Sequence, residues 1–500
     1  MRSHINGLAI WLQPHGGTTS GSTKALPHGC RENGAVLRML ESYVGPETFR
    51  KGVNAYLAAH ANGNATSADF WQAEAQASGK PVDKIMPTFV FQPGVPLISL
   101  STSCSDGSGR LDLRQQRFFV SPERPQSASN QTWQIPICTK TSTNAAGDCT
   151  LMTQHEQAVP SPSCADWVFG NRDAKGYYRA EYAPEDLKKV ADNAEHQLNV
   201  PERIALVEDT WALTRTGKTA VTDFLDLAQR LRSDQNRHVV GSLARHLEYI
   251  SDSLVPIGQA EPYRAAVRAQ FAPLAKTLGW SARASDTDEQ KALRANLLAT
   301  LGSAADPDAI AAARKIVEQY IQNPTSVDGT ISGSAFTVAA ENGDKDFYDR
   351  LTSALAGAKT SDEYNHYLYA LAAFREPDLL ERTIALVDQG RVRQQDYPRF
   401  FGALLSNPAS RQSAWKYLKN HWQDLAQKVT SFGGAGAVSA LGNSCSAEMR
   451  DDVKQFFAAH PAPGAQRAVQ QSLEKIDGCI DFQRREGDNL KRWLMTQPLN

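Results

Sequence analysis

From about residue 184 to residue 497 the chain reads as one helix after another with no strand signal between them. PEDLKKVADNAEHQL, PERIALVEDTWALTRTG and KTAVTDFLDLAQRLRS open the series, and Pro, Gly or Asn-Pro breaks recur every 15–20 residues. Helices of that length cannot bury an apolar face alone, so they must stack on their neighbours as antiparallel pairs in a solenoid. No strict repeat can be read, which predicts a loose HEAT-like superhelix rather than a regular array.

The texture upstream is different. PLISLSTS, RLDLRQQRFFV, TWQIPICTK and GYYRAEY are short runs rich in β-branched and aromatic residues, with turn signals at 106–109 and 171–176. They predict a small antiparallel β-sandwich over 96–183. Before it, residues 34–92 carry helical spacing. Val36, Leu37, Leu40, Tyr43 and Val44 form one run, and Phe49, Val53, Tyr56 and Leu57 a second. Thr66 or Ser67 could cap a third helix through Phe70, Trp71 and Ala75 that ends near Gly79 and Pro81, and Val82 to Phe91 would form a fourth. Residues 1–30, rich in Gly, Thr, Ser and His, have no sustained period and read as irregular or disordered. The fold class expected is α+β, mainly α.

A chain of 500 residues exceeds the size at which one core stops growing, so two to four domains are expected. Lys plus Arg (53) balances Asp plus Glu (54), which argues against a nucleic-acid partner. No apolar run approaches the roughly 18–20 residues that span a bilayer. Of the seven cysteines, Cys104, Cys138, Cys149 and Cys164 fall in one stretch and Cys445 and Cys479 near the C-terminus, with Cys30 apart and no CxxC pair. An even six, grouped four and two, suggests disulfides and an oxidising compartment, with buried free thiols as the alternative. Cys445 and Cys479 would staple neighbouring C-terminal helices.

The stretch from Gly34 to Pro96 resembles the helices that close the catalytic domain of the M1 family of zinc aminopeptidases. That family's pattern runs K-G-A/G-x-V/I-L-x-M-L, F-x-x-G-x-x-x-Y-L, H-x-x-x-N-A-T-x-x-D-L/F-W and W/F-x-x-Q-P-G-x-P. It corresponds here to Gly34–Leu40, Phe49–Leu57, His60–Trp71 and Phe89–Pro96. GYYRAEY at 176–182 resembles the family's strand that leads into its helical domain, and PERIALVEDTWALTRTGKT at 201–219 resembles that domain's opening. The resemblance implies a remnant of a thermolysin-like helical lobe over 31–95, a β-sandwich over 96–183 and a helical superhelix over 184–500. It also implies an ancestry in enzymes that use one zinc ion to remove N-terminal residues from peptides.

The chemistry of that family needs H-E-x-x-H on one helix, with a Glu from the next as third zinc ligand and the intervening Glu as general base toward zinc-bound water. None of the eleven histidines begins such a motif, and His155-Glu156 is the nearest failure. The family's G-A-M-E-N substrate loop is absent. Its transition-state tyrosine corresponds to Arg31, whose fixed charge and forked geometry are not those of a phenol. No catalytic or metal-binding residue is therefore assigned, and no zinc is expected on this chain, although the intact family carries it. The chain is expected to lack aminopeptidase turnover. The alternative function is a non-catalytic helical-repeat module that binds peptides or a protein.

The first 29 residues admit a sharper reading. Met-Arg-Ser-His-Ile-Asn-Gly can be encoded so that the neighbouring frame spells E-I-A-H-Q-W, and continuing to His28-Gly29 allows H-E-I-A-H-Q-W-F-G-D-L-V-T-A-A-W-W-D-D-L-W-L-N-E-G-F-A-T-W. That string is a zinc site of the same family, which reads residues 1–29 as an out-of-frame translation of it.

Other motifs have plainer explanations. Gly16 to Lys24 lacks the G-K-[ST] ending of a phosphate loop, and residues 329–334 read as an interhelical turn. Glu208, Asp209 and Arg215 are expected as surface charge, and Trp211, Tyr320, Tyr364, Tyr367 and Phe374 as core. The cysteines suit a periplasmic or secreted parent enzyme. MRSHINGLAIWLQPHGG is a poor signal peptide, so a chain translated as it stands is expected in the cytoplasm. Sequencing the coding locus tests the out-of-frame reading: codons 1–29 are expected to spell H-E-x-x-H in the neighbouring frame, and any other spelling ends it.

Overall fold

The computed structural model describes residues 26–120, 131–161, 164–430, 436–462 and 464–497. The zinc-site reading of the first residues falls almost entirely outside them. The chain divides into two compact units, Met1–Thr219 and Ala220–Asn500.

The first unit opens with four helices, α1 (Leu26–Val44), α2 (Pro46–Ala59), α3 (Ser67–Ser78) and α4 (Val82–Val90). The helix begins at Leu26, inside the segment expected to be irregular. Gly45 at φ 93° and Pro46 at the first helical position turn the chain from α1 into α2. Thr66 caps α3 in a reciprocal box: the Asp69 N–H donates to its hydroxyl, and its own N–H donates 2.7 Å to the Asp69 carboxylate. Gly79, left-handed at φ 66°, ends α3. Val36, Leu37, Met39, Leu40, Tyr56, Phe70, Trp71, Val82 and Met86 form one core. Leu57 does not join it: the helix turns that side chain to solvent, 53% exposed.

Glu74 sits in the same helices with no exposure. Neither of its carboxylate oxygens has a hydrogen-bond partner, and it lies where Gly52 of α2 leaves room: a Cβ at that glycine would stand 2.5 Å from the carboxyl. Burial alone pushes this carboxyl up to about 8.

Strands β1 (Val95–Ser105), β2 (Ser108–Phe118), β3 (Ile135–Thr141), β4 (Asp148–Met152), β5 (Glu156–Ser161), β6 (Val168–Phe169) and β7 (Arg179–Tyr182) follow. They form a four-stranded sheet in the order β5-β2-β1-β7 and a three-stranded sheet in the order β4-β3-β6. Asp106 and Gly107, both at positive φ, make the two-residue turn of the β1–β2 hairpin, which pairs Ser105 with Ser108. The expected antiparallel pairing fails at one place. β7 lies parallel to β1, with Leu97 opposite Arg179, because the chain passes through the second sheet before returning to the free edge of β1. Disulfides join Cys104 to Cys164 and Cys138 to Cys149, the latter bridging paired positions of β3 and β4.

Helices α5 (Pro184–Gln197) and α6 (Val200–Arg215) complete this unit. Sequence texture placed the helical domain's start at residue 184, whereas the compact units divide after Thr219. Side-chain bonds between α6 and the strand region, described below, account for the difference.

The second unit is all helix: α7 (Val221–Arg230), α8 (Arg237–Leu254), α9 (Ala260–Leu278), α10 (Asp288–Ser303), α11 (Pro307–Gln322), α12 (Gly329–Glu341), α13 (Lys345–Ala356), α14 (Ser361–Leu371), α15 (Pro377–Ile384), α16 (Tyr397–Ser406), α17 (Arg411–Asn420), α18 (Trp422–Thr430), α19 (Gly436–Ala440), α20 (Ala447–Ala459) and α21 (Gln466–Thr496). Asn236, Thr287, Asp306, Asp328, Asp344, Thr360 and Ser446 each cap the helix that follows them. Alternate helices stack in the order α8, α10, α12, α14, α16; then α16 meets α19, α19 meets α21, and α21 returns to α7 and α8.

That return is built from specific bonds. Ala220, before α7, offers no side-chain cap, and the Val221 N–H donates 3.0 Å to the buried carboxylate of Glu486. Gln483 donates 2.6 Å to the Ser253 carbonyl, Trp493 donates 3.2 Å to Asp226, and Tyr249 lies against Phe482. Two turns before Glu486 on the same buried stripe, α21 is also held by the Cys445–Cys479 disulfide, whose cysteines are 34 positions apart.

Two outcomes follow. Replacing Cys445 and Cys479 by Ser and Ala should lower the unfolding free energy of the helical unit by roughly 3–4 kcal/mol in a denaturant titration, the cost expected when a loop of that length is opened in the unfolded chain; a loss below about 1 kcal/mol would contradict it. For Glu74 the folded acid is raised above its unfolded value of roughly 4.3. Its contribution is therefore intact at low pH and is lost as pH climbs from there through about 8. Glu74→Gln should gain thermal stability relative to wild type between pH 5 and pH 9, and parallel melting-versus-pH curves would refute this.

Candidate functional site

Motif by motif, the structure places the residues singled out in the sequence as follows. His155 sits beside β5, 3.0 Å from the Thr132 hydroxyl and against the Gln115 carbonyl. Among the described residues no group of three or more His, Cys, Asp or Glu side chains is arranged to hold a metal ion. A hollow of the first unit, lined by residues including Met39, Pro136, Arg172 and Tyr178, offers about 10 Å³, the room of a single water.

The GYYRAEY segment is a structural joint. The Tyr178 hydroxyl donates 2.7 Å to the Gly170 carbonyl, and the Gly170 N–H donates 2.8 Å to the Tyr182 hydroxyl, so two tyrosines engage both backbone polar groups of one residue. Burial raises both phenols further. Arg179 donates 2.9 Å to one oxygen of Asp209, and the Ala180 N–H donates 3.0 Å to the other. Asp209 is therefore not the surface charge that the sequence suggested. It is buried, its carboxyl is raised by desolvation against the pull of Arg179, and it ties α6 to β7. A charged residue inside a helix reads as solvent-facing until its partner, 30 positions away, is known. Glu202 makes a second tie: fully buried, it accepts from Lys140 at 3.2 Å and from the N–H groups of Asp173 and Asn199 at 2.9 and 2.8 Å.

Four of the five aromatic residues expected as core are core. Trp211, Tyr320, Tyr367 and Phe374 are buried, with Tyr320 edge-on to Phe336 at 5.2 Å and Phe374 edge-on to Tyr348 at 5.1 Å. Tyr364 is half-buried, bonded through its hydroxyl to the Arg391 carbonyl and covered by Arg393 at 4.0 Å.

The sequence did not announce a charge cluster inside the helical unit. Glu248 and Asp252 come from the last two turns of α8, Glu341 ends α12, Arg375 follows α14, and Arg411 opens α17. Arg375 stands 3.4 Å from Glu341. Arg411 donates to the carbonyls of Leu405 and Ser406 at 2.8 and 3.0 Å, and its charge faces Asp252. Glu248, Asp252 and Arg375 are exposed, and Glu341 and Arg411 are half-buried. Burial first, then Asp252 and Glu341, pushes the Glu248 carboxyl up to about 7, against Arg375. Asp252 and Glu341 are also raised by burial, and Arg375 opposes both shifts. Nothing in their spacing marks these five residues, because they meet only when four helix ends converge. The cluster can hold charge or exchange a proton, but it has no means of activating water as a metal would.

Comparison with known proteins agrees with this layout. Residues 31–89 match the peptidase family M1 domain, and residues 167–478 match the ERAP1-like C-terminal domain. Relatives include mitochondrial aminopeptidase 2 of Saccharomyces cerevisiae, 26% identical over 92% of this chain and 48% of its own length. Human glutamyl aminopeptidase is 24% identical over 92% of this chain and 49% of its own, and aminopeptidase M1-C of rice 25% over 88% and 51%. The chain spans about half the length of the curated relatives it matches. Terminal helices of the peptidase domain, a β region and a long helical domain follow one another here in that order, and the chain belongs to the M1 aminopeptidase family, corresponding to its C-terminal part.

Proposed function

We propose that this polypeptide is the C-terminal half of a zinc aminopeptidase that removes N-terminal residues from peptides, and that by itself it does not turn substrate over. The observation that carries the reading is the absence of any H-E-x-x-H in a sequence that otherwise follows the family from residue 31 onward. Without a metal to lower the pKa of bound water, nothing near neutral pH supplies the hydroxide that attacks a peptide bond. The helical unit, with its polar cluster, is the part able to hold a peptide without chemistry.

The test is direct. Purified chain, supplemented with zinc, is expected to show no turnover of aminoacyl reporter substrates, with peptide binding measured by titration calorimetry under the same conditions. Chelator-sensitive turnover would overturn the first statement; no binding to any member of a mixed peptide set would overturn the second.

Three disulfides support folding in an oxidising compartment. With seven cysteines and six of them bridged, one thiol per chain (7 − 6 = 1) is expected to react in denaturant without reductant. Seven reactive thiols would place folding in a reducing compartment instead.

A further inference from the structure

The hairpin of β3 and β4 carries a chemical group that the frame alone does not require to be accessible. Cys138 and Cys149 stand opposite each other in the antiparallel ladder and are joined by a disulfide. Their surroundings differ. Cys149 is exposed, whereas Cys138 is 8% exposed. The hollow that borders Cys138 has the room of a single water, about 10 Å³, too little for an organic thiol. An incoming thiol therefore meets Cys149.

Arg172 is fixed against the same residue. Its Nη2 donates 3.8 Å to Cys149 Sγ, while its Nη1 donates 3.2 Å to the Gly147 carbonyl and also bonds the carbonyl of Ala146. Gly147, at φ 72°, has to stay bare: a Cβ there would lie 2.8 Å from the Arg172 side chain and 2.1 Å from the Thr139 carbonyl oxygen. The two residues after Arg172, Asp173 at φ 58° and Ala174 at φ 51°, are both held in left-handed backbone. Such a pair persists only where its surroundings over-determine it. Glu202 takes the Asp173 N–H at 2.9 Å, and the Asn171 side chain bonds both the N–H and the carbonyl of Gly176. The carboxylates of these segments have other partners. Asp148 accepts 2.8 Å from Asn144, and Asp173 accepts 2.9 Å from Asn199 and stands 3.8 Å from Arg172 Nε, which leaves Nη2 to the sulfur.

We propose that Cys149 is a site of reversible S-thiolation, at which a small organic thiol exchanges into the Cys138–Cys149 bridge beside the Arg172 guanidinium. The thiolate sulfur attacks Cys149 Sγ and forms a new S–S bond. The bond to Cys138 breaks, and Cys138 leaves with the electron pair and takes a proton from water. The attacking sulfur is oxidised as Cys138 is reduced, so the exchange needs no other oxidant. Negative charge is shared over three sulfurs during the step, next to a cation already in place. Attack by Cys138 on the mixed disulfide reverses it. The other bridges lack this combination. Cys479 is 1% exposed, and Cys104, although exposed, has no cation donating to its sulfur among the described residues.

Reduced glutathione, added to the full chain without oxygen and quenched with N-ethylmaleimide, tests the proposal, with adducts located by peptide mass spectrometry. The first glutathione adduct is expected on Cys149, with maleimide on Cys138, several-fold faster than any adduct at the other two bridges. Arg172→Met should slow it several-fold, and Arg172→Lys should restore part of the rate. In Cys138→Ala, alkylation of Cys149 by iodoacetamide should reach half its limiting rate about 1 pH unit below the roughly 8.5 of an ordinary thiol. Should Arg172→Met open the hairpin, that midpoint decides alone. A first adduct at any other cysteine, an intact Arg172→Met hairpin thiolated as fast as wild type, or a Cys149 midpoint no lower than that of an ordinary thiol overturns the proposal.

Discussion

A stack of helices has two ends, and each end carries an apolar face with no neighbour. The second unit meets that constraint by bringing its last helix back to its first. α21 covers α7 and α8, and Glu486 completes α7 by taking the N–H that Ala220 cannot cap. The carboxylate is suited to the place, because a helix N-terminus favours negative charge and leaves its first amides without partners. A disulfide fixes the same helix two turns earlier.

Legibility in the sequence tracked the range of the interaction. The four helices after residue 34 could be read because their stops and starts are local: Gly45 with Pro46, Thr66 with Asp69, and Gly79 each act within a few residues. The Asp106–Gly107 hairpin was readable for the same reason. Leu57 misled, since apolar spacing names a face but not what covers it. The parallel β7, the burial of Asp209 against Arg179, and the Glu486 cap for Val221 were beyond reach. Each joins positions 30 or more residues apart through one or two contacts that leave no period. The charge cluster is the extreme case, five residues from four segments with no common spacing.

The motifs that close the peptidase domain are present and fold as helices. What remains in the GYYRAEY joint is mechanical. Tyr178, Tyr182 and Arg179 spend their polar groups on Gly170 and Asp209, which holds α6 on the strand region. Polar side chains in a family motif can thus serve the frame rather than the reaction.

The contact between Gly52 and Glu74 has an evolutionary consequence. The carboxyl occupies the space that a side chain on α2 would need, so neither position can drift alone. An alanine at 52 would force the Glu74 carboxyl to swing aside or shorten, and the present placement of that carboxyl needs 52 to stay bare. The two sites form a ratchet: whichever change comes first decides which substitutions the other can later accept.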